Sequence, residues 1–194
     1  MAYLLPAEFV TKMVDAGESK VFMSTRDTLI RGYMAGAILA LAAVFAITIA
    51  VQTGMFLLGA ILFPVGFCML YLMGFDLLTG VFVLTPLALI DKRPGVTIQG
   101  VLRNWGLVFI GNFGGALTVA IMMAFIFTYG FNTDPGAIGK KVASIGEART
   151  LGYAEYGTAG WFTIFIRGML CNWMVSLGVV GAMISTNVSG KVIA

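Results

Sequence analysis

Apolar residues arrive in long blocks separated by short polar stretches, and each block predicts a membrane-spanning helix. A hydrocarbon core about 30 Å thick needs roughly 20 helical residues, which residues 29–51, 102–129 and 161–184 each supply. Gly32, Ala35, Gly36, Ala40 and Ala43 give the first block a small-residue face, and Gly106, Gly111, Gly114, Gly115 and Ala116 give the third another. Such faces let membrane helices approach closely. Gln52-Thr53-Gly54 reads as a tight turn and Asp91-Lys92-Arg93-Pro94-Gly95 as a loop. Residues 6–26 read differently. Phe9, Val10, Met13 and Val14 share one face while Glu8, Lys12 and Asp15 lie elsewhere, predicting an amphipathic helix within 6–26, with Pro6 near its start and Gly17 near its end, in the cytoplasmic interface.

The block from Met55 to Ile90 does not fit the scheme. As one helix it is about 54 Å long; as two spans it leaves no room for a turn. The better reading is one broken span, with a first half to about Met73, a loop through Gly74–Gly80 and a second half ending before Asp91. Pro64 and Pro86 add kinks, which membrane helices tolerate. The break carries Asp76, a carboxylate at membrane depth, and ionisable groups there mark functional sites by default. Residues 131–160 form a polar loop of balanced charge, and Ser185–Ala194 a polar turn that begins a further segment.

The composition agrees. Of 194 residues 59% are hydrophobic and 11% charged, against about 25% charged in soluble domains, so the chain is an all-α integral membrane protein. The start of the chain carries Glu8, Asp15 and Glu18 ahead of any apolar run, which is unlike a signal peptide. Lys12, Lys20, Arg26, Arg31, Lys92, Arg93, Arg103 and Lys191 fall on one side, against Lys140, Lys141 and Arg149 on the other, while Arg167 enters the fourth span. The bias places the amino terminus in the cytoplasm. Trp105 and Trp161 fall near helix ends, as interface anchors do. The two cysteines, Cys68 and Cys171, sit within spans and pack as small hydrophobes. With no histidine and two cysteines, haem and metal clusters are not expected, no cofactor is expected, and the net charge of +3 gives no reason to expect nucleic acid.

Ile30-Arg31-Gly32 opens the first span and Ile166-Arg167-Gly168 the fourth, with opposite predicted directions. This predicts an inverted repeat, an architecture that places a substrate path at the repeat interface. The organisation is then a segment at 1–28, a three-span unit at 29–130 broken at 74–80, an extracytoplasmic loop at 131–160, and the start of a second unit at 161–194. The counterpart of the break falls beyond the sequence, so the chain is expected to end after the fourth of six spans.

Several motifs resemble the formate/nitrite transporter family. They are Pro6-x-Glu8 … Gly17-x-x-Lys20 with Gly36, then Phe75-Asp76-Leu77-Leu78-Thr79-Gly80, then Leu102-Arg103-Asn104-Trp105 … Gly111-Asn112-x-x-Gly115, and last Arg167-Gly168-Met169-Leu170-Cys171-Asn172-Trp173-Met174-Val175. The resemblance implies an aquaporin-like bundle of six spans in two inverted halves, a homopentamer with one pore per protomer, in the bacterial inner membrane. Its substrates are small monovalent anions such as formate or nitrite, and membrane lipid surrounds it. It also implies that Leu77, Leu78 and Thr79 line the pore, that Phe63 and Phe67 form an apolar constriction, and that Asn172 and Val175 face the pore. The family's pore histidine, in a fifth helix, has no counterpart in this chain. The family lysine before the fourth helix falls ungapped on Tyr156, where Lys140, Lys141, Arg149 or Arg167 are the available substitutes.

An anion crossing an apolar constriction needs donors to offset its desolvation. Thr79 either supplies one or caps the second half-helix; Asn172 either donates into the pore or bonds a neighbouring helix. Asp76, which would repel an anion, is expected to hold the loop by accepting backbone N–H bonds, with Gly74 and Gly80 shaping it. Arg31 and Arg167 are expected to be anchors. Two alternatives are a neutral-solute channel of aquaporin type and a non-transporting membrane subunit. The first lacks its Asn-Pro-Ala loops here, and the second predicts neither broken span nor repeat. No nucleophile–base pair supports an enzyme.

Overall fold

The structure, a computed structural model, describes residues 3–194. Met1 and Ala2, the start of the 1–28 segment, lie outside them. Among the described residues there are helices and no strands. They run α1 (Pro6–Phe22), α2 (Thr25–Thr53), α3 (Phe56–Leu62), α4 (Val65–Leu72), α5 (Leu78–Ile90), α6 (Ile98–Phe127), α7 (Gly136–Arg149), α8 (Gly157–Ile184) and α9 (Val188–Ile193). A 3-10 turn, Leu151–Tyr156, joins α7 to α8.

Local chemistry sets several of these ends. Pro6 occupies the first turn of α1, where its missing N–H costs nothing, and the Glu8 carboxylate accepts the Leu5 N–H at 2.7 Å. Ser24 caps α2 by accepting the Asp27 N–H at 3.0 Å, and Thr97 caps α6 by accepting from Gly100 at 3.1 Å. The turn expected at 52–54 is there, with Gly54 at φ 70°.

α2, α6 and the helical stretch Gly136–Ile184 that contains α8 are long and apolar enough to cross a membrane, while α3–α4 and α5 are shorter apolar helices. Large apolar side chains point outward, among them Leu41, Phe109 and Trp161, and lipid is the solvent that makes such a surface tolerable. The buried face of α2 is built from small residues: Ala35, Ala42, Ala46 and Ala50 are buried. α2 packs mainly on α6, and their backbones nearly touch, because a Cβ at Gly36 would overlap the Asn112 carbonyl. Gly36→Ala is therefore expected to cost roughly 1–3 kcal/mol through overpacking. Gly106→Ala in α6, where a Cβ meets nothing within 4 Å, is expected to be neutral or to stabilise by about 0.5–1 kcal/mol. Thermal unfolding of the two variants in detergent checks the contrast.

Several sequence expectations change. α1 ends at Phe22, within the expected 6–26, and Gly17 is not near a terminus but marks its crossing with α5, where a Cβ would overlap the Leu84 carbonyl. The loop expected at 131–160 is mostly helical, containing α7 and the 3-10 turn. The break expected through Gly80 is shorter, since helix resumes at Leu78 because Asn112 takes up the Leu78 N–H. The second block is also interrupted earlier, at Phe63–Pro64, where proline cannot donate to the helix. Trp105 is half-buried, and its indole N–H donates to Thr85 Oγ1 at 2.9 Å and to the Val81 carbonyl at 3.2 Å. Trp161 is 76% exposed.

Candidate functional site

The second apolar block is broken between Leu72 and Leu78, and the break is the centre of the site. α4 closes with Gly74 at φ 73°, a left-handed conformation that glycine adopts without penalty. The chain then runs without helix through Phe75 and Asp76, and Leu77 is extended where α5 begins. A break inside an apolar layer leaves backbone groups without helical partners, and these must be satisfied by protein.

One side chain does most of this. Asn112, midway along α6, accepts the Leu78 N–H at 2.9 Å through Oδ1. Its Nδ2 donates to the Asp76 carbonyl and to the Gly32 carbonyl of α2, both at 2.8 Å. A single amide thus ties the break, the start of α5 and the flanking helix α2 together. Asn112 belongs to the Gly111-Asn112-x-x-Gly115 motif, where this role was not expected. Its signal was a lone amide in the middle of a span, on the same face as closely packed glycines.

Asp76 is buried, as its place in the sequence suggests, yet its carboxylate does not accept backbone N–H bonds. Its Oδ1 pairs with the Lys20 ammonium of α1, and the two side chains are 5% and 16% exposed. The physical reason is local: Asn112 already serves the neighbouring backbone, and α1 delivers a cation into the gap. Asp76 Oδ2 is buried without a partner. Lys20 is itself held from behind, since the fully buried Asn104 of α6 donates to its carbonyl at 2.9 Å. Arg31 Nη1 reaches the Gly74 carbonyl only at 3.5 Å, long for a hydrogen bond.

Beside the break lies a cavity of about 540 Å³. Of the residues singled out from sequence, Phe67, Gly74, Asp76, Leu77, Thr79, Gly80 and Val175 line it, while Phe63, Leu78 and Asn172 do not. Phe63 instead packs edge-on against Phe67, ring centroids 5.6 Å apart. Leu78 contributes its backbone N–H to the Asn112 bond. Asn172 stands one turn before Val175 on α8, with Nδ2 at 3.5 Å from Ser176 Oγ and a buried, unpartnered Oδ1. Thr79 sits in the first turn of α5 but does not cap it: Leu77 holds the cap position, and Thr79 Oγ1 is buried without a partner. The rest of the lining is mostly apolar, from α4, α5 and α8, with Lys20 of α1 and Lys191 of α9.

Three of the four basic residues of 131–167 are engaged. Lys140 pairs with Asp134 at 2.8 Å, and this bond, with the Gly136 N–H, holds the Asp134 carboxyl below its usual range. Lys141 lies over the Phe56 ring, and Arg167 donates to the Tyr153 phenol at 2.6 Å. Tyr156 is exposed.

The chain matches the model of the formate/nitrite transporter family over residues 7–194. The chain belongs to the formate/nitrite transporter family. A probable formate transporter of Methanothermobacter thermautotrophicus is 34% identical over 137 residues, covering 67% of this chain and 48% of that protein. The formate channel BtFdhC of Bacillus thuringiensis is 29% identical over the whole chain and 72% of its own length. The formate channel FocA of Haemophilus influenzae is 32% identical over 76% of this chain and half of its own length. The chain therefore spans about half to three-quarters of these relatives. Membership of the formate/nitrite transporter family makes it a multi-pass membrane protein of a transport family, in keeping with its apolar helices.

Proposed function

We propose that this protein passes small monovalent anions, formate or nitrite, along a path that runs past the break in the second block. The observation that carries the reading is Thr79 Oγ1, a buried hydroxyl without a partner, at the start of α5 and on the wall of an otherwise apolar cavity. A hydroxyl at a half-helix amino terminus offers an anion a donor together with the positive end of the helix dipole. Phe67 and Val175 supply an apolar wall that strips water, and Asn172 supplies a further amide nearby. Pairing with Lys20 removes the repulsion that Asp76 would otherwise exert on an anion. Asp76, Gly74 and Gly80 shape the break, and Phe63 backs the constriction through Phe67. The whole assembly is an aquaporin-like inverted repeat of six spans, a homopentamer in a bacterial inner membrane with the amino terminus in the cytoplasm. The names of the relatives favour formate and a channel over an enzyme.

Flux into proteoliposomes tests this, using the full-length protein with formate, nitrite and water compared. Thr79→Val keeps the shape and removes the hydroxyl. A hydrogen bond to a charged group is worth roughly 1.5–3 kcal/mol, so anion flux should fall on the order of tenfold or more at unchanged thermal stability. Water flux without anion flux would replace the reading with a neutral-solute channel. Anion flux indifferent to Thr79→Val would remove Thr79 from the path.

A further inference from the structure

We infer that Arg93 is a positioning residue for the anion path: it fixes the roll of α1 about its own axis and so keeps Lys20 seated on Asp76 at the break. The inference rests on the anion-transport reading above. α1 buries one stripe, formed by Met13, Val14, Gly17 and Val21, and packs chiefly on α5. The Gly17 contact with the Leu84 backbone sets how closely the two helices approach. Charged groups hold the two edges of the stripe. Positions two apart on a helix differ by about 200°, so Glu18 and Lys20 project to opposite flanks. On one flank Lys20 pairs with Asp76. On the other Glu18, with Asp15 three residues before it, meets Arg93 from the loop between α5 and α6.

Arg93 is prepared for this contact. Its N–H donates to the Ala88 carbonyl at 3.1 Å, which folds the chain back over the end of α5, and Lys92 adopts a left-handed φ of 58° at that bend. Asp91 Oδ2 accepts from Arg93 Nε at 2.9 Å and leaves both Nη groups to α1. Nη2 donates to Asp15 Oδ1 at 2.7 Å, and Nη1 lies 3.6 Å from Glu18 Oε2. A lone surface ion pair contributes little, but here one guanidinium joins three carboxylates in a network. Two of them belong to α1 and one to the loop, so the network ties helix to loop. Without Arg93, three carboxylates face one another and α1 is free to roll about Gly17. The roll exposes Val21, which is buried against Gly100 of α6 on the Glu18 side of the stripe, and shifts Lys20 against Asp76. Asp76 then turns its negative charge back toward the path.

The test pairs two measurements on the full-length protein. One is formate flux into proteoliposomes. The other is the rate at which a water-soluble maleimide modifies Val21→Cys, in a background carrying Cys68→Ala and Cys171→Ala. Arg93→Gln should lower flux and speed modification, each about three- to tenfold, as the loss of a small charge network allows. Arg93→Lys should fall between, because a point charge cannot serve three carboxylates at once. Asp15→Asn/Glu18→Gln cuts the same tie from the other side and should reproduce both changes. Adding Arg93→Gln to that pair should make neither worse, since residues that act as one unit are not additive. Parent-like flux and modification in Arg93→Gln would overturn the inference. So would additive losses in the triple variant, or lost flux with parent-like modification, which would confine the effect of Arg93 to its own loop. Faster modification with parent-like flux would leave Arg93 a structural tie with no part in passage. A parent protein that carries neither formate nor nitrite would instead defeat the transport reading, while the maleimide rates would still report the tie.

Discussion

Asp76→Leu should destabilise the protein by about 3–5 kcal/mol, the usual loss when one member of a buried ion pair is removed and the other is left uncompensated. The stranded group is Lys20, whose side chain is 16% exposed and whose backbone is held by Asn104. Lys20→Met strands Asp76 and should cost a similar amount. The double variant Lys20→Met/Asp76→Leu should recover most of the loss, since a well-packed apolar pair often matches a buried ion pair in stability. Thermal unfolding in detergent for the four proteins completes the cycle. Additive losses in the double variant would mean that the two residues act separately and that the pair does not hold α1 to the break. Anion flux in the double variant carries separate information. It should stay low even where stability returns, if the local field of the pair matters to passage and not just its packing.

Asn112→Leu should be comparably damaging for a different reason. The leucine fills similar space but leaves the Leu78 N–H and the carbonyls of Asp76 and Gly32 without their partner. Each such group costs roughly 1–3 kcal/mol when buried and unsatisfied. Asn112→Asp keeps an acceptor for Leu78 but turns an anionic oxygen toward two carbonyls, so it should not rescue. Protease accessibility of residues 73–77 in the folded protein reads the effect directly, and both variants should open this segment before the rest of the molecule. Parent-like protection in Asn112→Leu would show that the break is held by its own backbone geometry.

Much of this was legible in sequence because a bilayer imposes strong rules. Length and apolarity located α2, α6 and α8, and the surplus length of the second block, with Asp76 and two glycines inside it, located the break. What stayed hidden depended on partners distant along the chain. Asp76 could be placed at membrane depth, but its cation sits 56 residues earlier on α1. A lysine one turn after Gly17, on the stripe that α1 buries, was the available clue, and it reads equally as an inner-side topology charge. Trp105 stands near a helix end, and nothing local signals that its N–H meets Thr85, 20 residues earlier on α5. Thr79 and Asn172 were singled out by resemblance, and the structure separates them, one on the cavity wall and one beside it.

The Asn112 tether also bears on how the protein is made. Its bonds reach 34 residues back to Leu78 and 80 back to Gly32. When the stretch from α3 to α5 first enters the bilayer, the amide that closes the break has not yet been synthesised. Until α6 arrives, the exposed peptide groups between Leu72 and Leu78 need water or the insertion machinery as a substitute. Biogenesis therefore has an obligatory order: the second hydrophobic block can be threaded early, but it acquires its final shape only when α6 docks against α2.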